Sequence, residues 1–228
     1  MTATTHRPHA AENEQSASQP TPGSERPGRF IVLEGIDGAG TTSQTERLLA
    51  WLGSCGRRGH KTAEPSGGPI GRLIRSFLSA AATPLEPRAM ALLFAADRRD
   101  HLQREIEPLL AQGVTVLCDR YVLSSLAYQT VAGVPHQVVA QANADLRRPD
   151  LTLFFSLPVS VAAQRRAVRG SAVEIYDADS VQQRVAAAYE REALALQAAG
   201  EPIVFIDAGR TRDEVEAALR LAITPLLT

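Results

Sequence analysis

Phe30-Ile31-Val32-Leu33-Glu34-Gly35-Ile36-Asp37-Gly38-Ala39-Gly40-Thr41-Thr42 decides the reading of this chain. The apolar run at 30–33 predicts a strand buried on both faces. Glycines at 35, 38 and 40 let the backbone curl so that several N–H groups converge on one cavity. The helical stretch predicted from 42 to 53 adds the positive end of its dipole there. Strand, Gly-rich turn and helix are the context a phosphate loop needs, and the spacing fits GxxxxGK[ST] at every position but one. Thr41 stands where that pattern has lysine, while Thr42 keeps the hydroxyl that ligates Mg²⁺. The glycine spacing by itself also fits a plain Gly-rich strand-to-helix turn.

Outward from this stretch, short apolar segments at 114–118, 151–155 and 203–206 read as further buried strands, with a weaker one at 61–64. Helical patterns separate them at 71–81, 88–110, 160–169, 180–199 and 212–226. Ser180 with Gln183, and Thr211 with Glu214, have the form of capping boxes. Strand–helix alternation over residues 29–228 predicts one α/β domain, a doubly wound three-layer sandwich around a central parallel sheet. Residues 1–28 carry Pro8, Pro20, Pro22 and Pro27 among Ser, Thr and Gln, with almost no large apolar side chain. Such a segment cannot offset its ordering entropy and reads as a disordered tail.

Composition narrows the function. Of 228 residues, 44% are hydrophobic and 21% charged, which excludes a wholly disordered or collagen-like chain. A net charge of -1 leaves no basic footprint for nucleic acid. No apolar run approaches the roughly 18–20 residues of a membrane span. Cys55 and Cys118 lack metal-ligand spacing and lie far apart, so reduced thiols are expected. With no export signal in the sequence, the expected location is cytoplasmic. Lys and Arg total 24, and Lys61 is the one lysine. Any mechanism that needs a lysine therefore has a single candidate, and Lys61 is predicted before the second strand, away from the phosphate loop.

Two further pairs carry chemistry. Phe94 and Arg98 are four apart and share a helix face. They could stack on a base and donate to its carbonyl, or be a core Phe beside a solvated Arg. Asp119 and Arg120 follow the 114–118 strand, at the sheet end where open α/β folds bind ligands. They could hold Mg²⁺ and a phosphate, or pair with each other at the start of the next helix.

Several segments resemble the thymidylate (dTMP) kinases, and they occur in that family's order over about 200 residues. They are residues 30–40; Glu64-Pro65-Ser66-Gly67-Gly68-Pro69-Ile70-Gly71 with Arg75; Leu92-Leu93-Phe94-Ala95-Ala96-Asp97-Arg98 to His101; and Asp119-Arg120-Tyr121 with Ser124-Ser125 and Tyr128-Gln129. Pro149-Asp150-Leu151-Thr152 and Arg184 to Tyr189 continue the match. The resemblance implies the P-loop kinase fold and transfer of a phosphoryl group from ATP to dTMP, with Mg²⁺, in a homodimer. It implies that Gly35, Ile36, Asp37, Gly38, Ala39, Gly40, Thr41 and Thr42 cradle ATP. It implies Phe94 stacked on thymine, Arg98 on a thymine oxygen, and Arg75 and Arg120 on the acceptor phosphate. Asp37 would bind the sugar 3′-hydroxyl near Mg²⁺, which Thr42 and Asp119 also serve. Ser125, Tyr128 and Gln129 would line the sugar and base pocket, with Tyr128 disfavouring a 2′-hydroxyl. Ser125 and Gln129 also fit the polar surface of a helix.

Four positions depart from the family pattern. Thr41 replaces the lysine, Ala63 an arginine and Ser156 an aspartate, and the lid near 170–177 contains no arginine. Gly38 closes the phosphate loop as a source of the catalytic arginine. The candidates are Arg165, Arg166 and Arg169, on the helix that enters the lid, a position that equally suits a solvated basic helix end. Two other readings stay open: a catalytically weak nucleotide-binding homologue acting as sensor or partner, and a kinase for another nucleoside monophosphate. Leu92, Ala96, Leu102 and Ile106 form an apolar stripe that suits a dimer interface or ordinary core alike.

Overall fold

The computed structural model describes residues 28–79, 81–169, 176 and 178–227. The expected tail therefore lies outside the described residues except for Gly28, and the expected lid except for Tyr176. The elements run β1 (Phe30–Gly35), α1 (Thr41–Ser54), β2 (Gly59–Ala63), α2 (Pro69–Leu78), α3 (Pro87–His101), α4 (Glu107–Ala111), β3 (Thr115–Asp119), α5 (Val122–Val131) and α6 (His136–Ala142). They continue with β4 (Leu151–Ser156), α7 (Val159–Arg169), α8 (Asp179–Ala198), β5 (Ile203–Asp207) and α9 (Arg212–Leu227).

The five strands form one parallel sheet in the order β2-β3-β1-β4-β5. Every residue of β1 is buried, as its unbroken apolar run requires. One core cluster lies between the sheet and α1, α5, α8 and α9, around Leu33, Leu48, Phe155, Tyr189 and Leu219. A second holds Phe30, Val32, Ile106 and Val116. The chain leaves β1 for β2, returns to β3 and then crosses to β4, so its direction across the sheet reverses at β1. Register pairs Leu33 with Asp119, and Ala63 with Asp119. The carboxyl ends of β1, β2 and β3 thus open onto one crevice, which is where such sheets bind ligands.

The expected 88–110 helix is not continuous. A π-helical turn, Leu102–Ile106, separates α3 from α4. Pro108 lies in the first turn of α4, and without an N–H it cannot serve a regular α-helical ladder there. The stripe expected from that helix divides accordingly: Leu102 and Ile106 are core, whereas Leu92 is exposed. Helix α5 carries no amphipathic signal, because Leu123 through Gln129 are all buried, and α6 is only seven residues long. Thr211 and Glu214 do form the expected capping box, with backbone N–H to side-chain oxygen distances of 3.0 and 3.3 Å. Ser180 does not cap α8. That helix begins at Asp179 after Ala178, with no side-chain cap.

Candidate active site

The phosphate loop keeps its shape through two glycines with positive φ. Gly38 has φ 93°, and a Cβ there would lie 2.5 Å from the Ala162 carbonyl oxygen of α7. Gly40, at φ 97°, is the residue before α1, and no side chain caps that helix. The first turn of α1 contains no acidic residue. Its N–H groups and dipole are therefore oriented toward an anion in the loop. Ile36 and Ala39 are buried beneath the turn, and a Cβ added at Gly35 would lie 3.1 Å from the Cβ atoms of Ala39 and Phe155.

A cavity of about 300 Å³ opens beside the loop. It brings together Asp37, Thr42, Arg75, Phe94, Arg98, Asp119, Arg120, Ser125, Tyr128 and Gln129, ten of the residues singled out in the sequence. At its loop end, the Thr42 hydroxyl donates to Asp119 Oδ2 at 2.7 Å. Asp119 Oδ1 is buried and has no hydrogen-bond partner among the described residues. A hydroxyl beside a carboxylate with a spare oxygen is a hard donor set suited to Mg²⁺.

In the middle, Arg120 Nη2 donates to Asp37 Oδ1 at 2.7 Å and Nη1 to the Tyr189 hydroxyl at 2.9 Å. Tyr128 donates to Asp37 Oδ2 at 2.9 Å. Burial would push the Asp37 carboxyl up, but the Arg120 charge and these hydrogen bonds outweigh it, so Asp37 stays below its ordinary value. Arg120 has φ 73°, a left-handed conformation that costs an L-residue energy and is found at constrained functional sites. Its N–H on the Leu33 carbonyl holds it there.

Glu34 supports this arrangement, a role that the sequence reading did not give it although it lies in the 30–40 stretch. It is wholly buried and accepts from the N–H groups of Tyr121 and Ser124, at 2.8 and 3.2 Å, and from the hydroxyls of Ser124 and Tyr189. It therefore caps α5 from β1. Burial raises its pKa despite those donors. A wholly buried acid in β1 was the available signal, because an acidic residue in a strand covered on both faces needs partners.

At the far end, Arg98 is 1% exposed. Its Nε donates to Glu64 Oε2 at 2.7 Å and Nη1 to Asn143 Oδ1 at 2.5 Å. Nη2 donates to the Tyr121 carbonyl and the Ser125 hydroxyl, each at 3.0 Å. A guanidinium has five N–H groups, so one remains without a partner among the described residues. Arg98 is thus neither solvated nor a simple partner of Phe94. Gln129 is 1% exposed and its Oε1 has no partner among the described residues. Phe94 lines the same end, and Arg75 is exposed at the rim, donating to the Pro65 carbonyl.

Two arginines of α7 reach backbone carbonyls of the loop. Arg166 Nη1 donates to the Asp37 carbonyl at 2.8 Å. Arg165 donates to the Ala39 and Ala208 carbonyls at 3.4 and 3.0 Å. Arg169 is the last residue of α7. Lys61 is on β2, where its ammonium pairs with Glu46 at 2.8 Å.

A parallel sheet of this order, with a phosphate loop after β1 and a carboxylate–arginine pair after β3, defines a P-loop kinase. The thymidylate kinase family model matches residues 33–219, and the chain belongs to that family. It is 40% identical over 188 residues to a probable thymidylate kinase of Pyrobaculum aerophilum, covering 82% of this chain and 92% of the relative. It is 39% identical over 212 residues to a thymidylate kinase of Verminephrobacter eiseniae, covering 87% and 92%. A Leifsonia xyli thymidylate kinase is 39% identical over 205 residues, covering 86% and 94%. No helix among the described residues is long and apolar enough to cross a membrane.

Proposed function

We propose that the chain transfers the γ-phosphoryl group of ATP to dTMP, giving ADP and dTDP. One observation carries this reading: a single cavity is lined both by the Thr42–Asp119 pair and by Phe94, Arg98 and Gln129. The donor phosphates lie on the 35–42 loop, and Arg120 and Arg75 hold the acceptor phosphate. An oxygen of that phosphate bonds to the γ-phosphorus, and the bond to the β,γ-bridging oxygen breaks, leaving with ADP. Thr42 and Asp119 would hold Mg²⁺, with Asp37 nearby on the sugar side. Bound there, the ion neutralises charge on the β- and γ-phosphate oxygens. Phe94 stacks on the thymine, Arg98 and Gln129 meet its polar edge, and Ser125 and Tyr128 close the sugar pocket.

Of the α7 arginines, Arg166 is favoured as the cation that stands in for the missing lysine. It touches the loop at Asp37, and its charge also helps to lower the Asp37 carboxyl. Arg165 is divided between the Ala39 and Ala208 carbonyls, and Arg169 follows it in the chain toward the lid. Lid closure over 170–177 would exclude water from the transfer. A homodimer in the cytoplasm is part of the same reading. Leu73 of α2 and Leu92 of α3, both about half exposed on packed neighbouring helices, support an interface there. A coupled assay with ATP and dTMP at millimolar concentrations tests the activity. dTDP formation well above a Thr42→Ala control is expected, and its absence would favour the nucleotide-binding sensor.

A further inference from the structure

Glu64, His101 and Cys118 bring a carboxylate oxygen, an imidazole nitrogen and a thiol sulfur within 4.8 Å of one another. They are not a free chelating set. Glu64 Oε2 is ion-paired with Arg98 at 2.7 Å, and Cys118 Sγ donates to the Arg120 carbonyl at 3.1 Å. A metal among them would also face the Arg98 guanidinium.

What the cluster does instead follows from its hydrogen bonds. Arg98 and His101 are three apart on α3 and share a face. They divide one carboxylate: Arg98 Nε meets Glu64 Oε2, and His101 Nδ1 lies 3.4 Å from Glu64 Oε1. A carboxylate only accepts, so Nδ1 carries the proton whether the ring is neutral or charged. His101 Nε2 lies 2.8 Å from the Thr62 hydroxyl of β2 and 3.6 Å from Glu105 Oε2. Glu105 is in the π-helical turn that begins directly after His101, and its other oxygen meets His60 Nε2 of β2 at 2.9 Å. π-Turns recur at functional sites. The titratable and charged groups around the ring are therefore Glu64 after β2, Asp97 and Arg98 on α3, Glu105 with His60 behind it, and Cys118 on β3. Burial disfavours the imidazolium, but Glu64, Glu105 and Asp97 outweigh it and raise the His101 pKa above 6.5.

We propose that His101 is a positioning residue for base recognition: it orients Glu64 and, through it, the Arg98 guanidinium whose remaining N–H serves the base end of the cavity. This rests on the reading that Arg98 meets the base. His101 is screened from substrate by Glu64 and Arg98, so its effect falls on nucleotide binding, not on the transfer step. Loss of its charge loosens Glu64, so the KM for dTMP rises as pH climbs past the imidazole.

Steady-state kinetics of the full chain with His101→Ala, His101→Asn and Arg98→Lys test this. His101→Ala raises the KM for dTMP about tenfold, the worth of one hydrogen bond to a charged group, and leaves kcat and the KM for ATP nearly unchanged. His101→Asn, whose amide N–H takes the place of Nδ1–H, recovers most of that loss. It also removes a break above pH 6.5 from the wild-type profile of log KM for dTMP. Should His101→Ala fail to fold, the Asn variant and the wild-type pH profile still decide. An unchanged dTMP KM in His101→Ala beside a raised one in Arg98→Lys overturns the inference and leaves the base-pocket reading standing. An unchanged KM in both overturns the base-pocket reading itself. Parallel losses in kcat and both KM values mark a merely structural histidine and overturn the inference as well.

Discussion

Replacing Arg166 by alanine tests how the kinase manages without a phosphate-loop lysine. The Arg166 side chain is 12% exposed and donates to the Asp37 carbonyl at 2.8 Å. Its 3.7 Å pair with Asp179 is on the solvent side, where Asp179 is 76% exposed, and such pairs contribute about 0–1 kcal/mol. The Asp37 hydrogen bond, from a charged donor, by itself contributes about 1.5–3 kcal/mol to stability. The catalytic cost is separate. Removing one donor aimed at charge that develops in the transition state costs about 2.7–4 kcal/mol, or about 10²–10³ in kcat. Rapid-quench or coupled-assay measurements should show kcat reduced by that factor, with the KM for dTMP within about threefold, if Arg166 serves the donor phosphates as proposed. Adding Thr41→Lys to the Arg166→Ala background should restore about tenfold or more, since an ammonium returns to the β- and γ-phosphates. A loss of less than about fivefold in kcat would refute the assignment of the missing charge to Arg166.

Other outcomes follow from the same geometry. Gly38→Ala should lower both thermal stability and ATP affinity, because φ 93° costs about 1–2 kcal/mol for an L-residue and the new methyl meets the Ala162 carbonyl; unchanged melting and ATP KM would contradict the loop geometry. Tyr128→Phe removes the hydroxyl from Asp37 Oδ2 and should reduce kcat/KM for dTMP about tenfold, measured against an unchanged melting temperature. His101 has a raised folded-state pKa, so the stability it contributes is full below 6.5 and is lost as pH rises through the folded value. Denaturant titrations across that range should show the decline in the wild type and its absence in His101→Asn. Chelation of divalent cations should abolish turnover, and Asp119→Asn should raise the Mg²⁺ concentration needed for half-maximal rate.

Much of the fold was legible because the residues that decide it are local. β1 and the glycines after it are contiguous, and the strands at 114–118, 151–155 and 203–206 each came within a residue or two of the observed bounds. The lining of the candidate site was legible where residues follow a strand end or a helix repeat, as at Asp119–Arg120 and Phe94–Arg98, which meet in one cavity. What was not legible depends on distant contacts. The seven-residue buried run of α5 removes the polar face that a helical pattern needs, and Pro108 interrupts a pattern that looks continuous. Glu34 draws its meaning from donors on α5 and α8, Arg98 from Glu64 and Asn143, and Tyr189 from Arg120. None of those separations has a periodicity to read.

The most direct test measures initial rates of the purified chain with ATP and Mg²⁺ against a panel of nucleoside and deoxynucleoside monophosphates. The expected result is dTMP as the best acceptor by kcat/KM, with stoichiometric ADP and dTDP and loss of turnover in Thr42→Ala. No dTDP above that control, or a different monophosphate preferred over dTMP, would contradict the account.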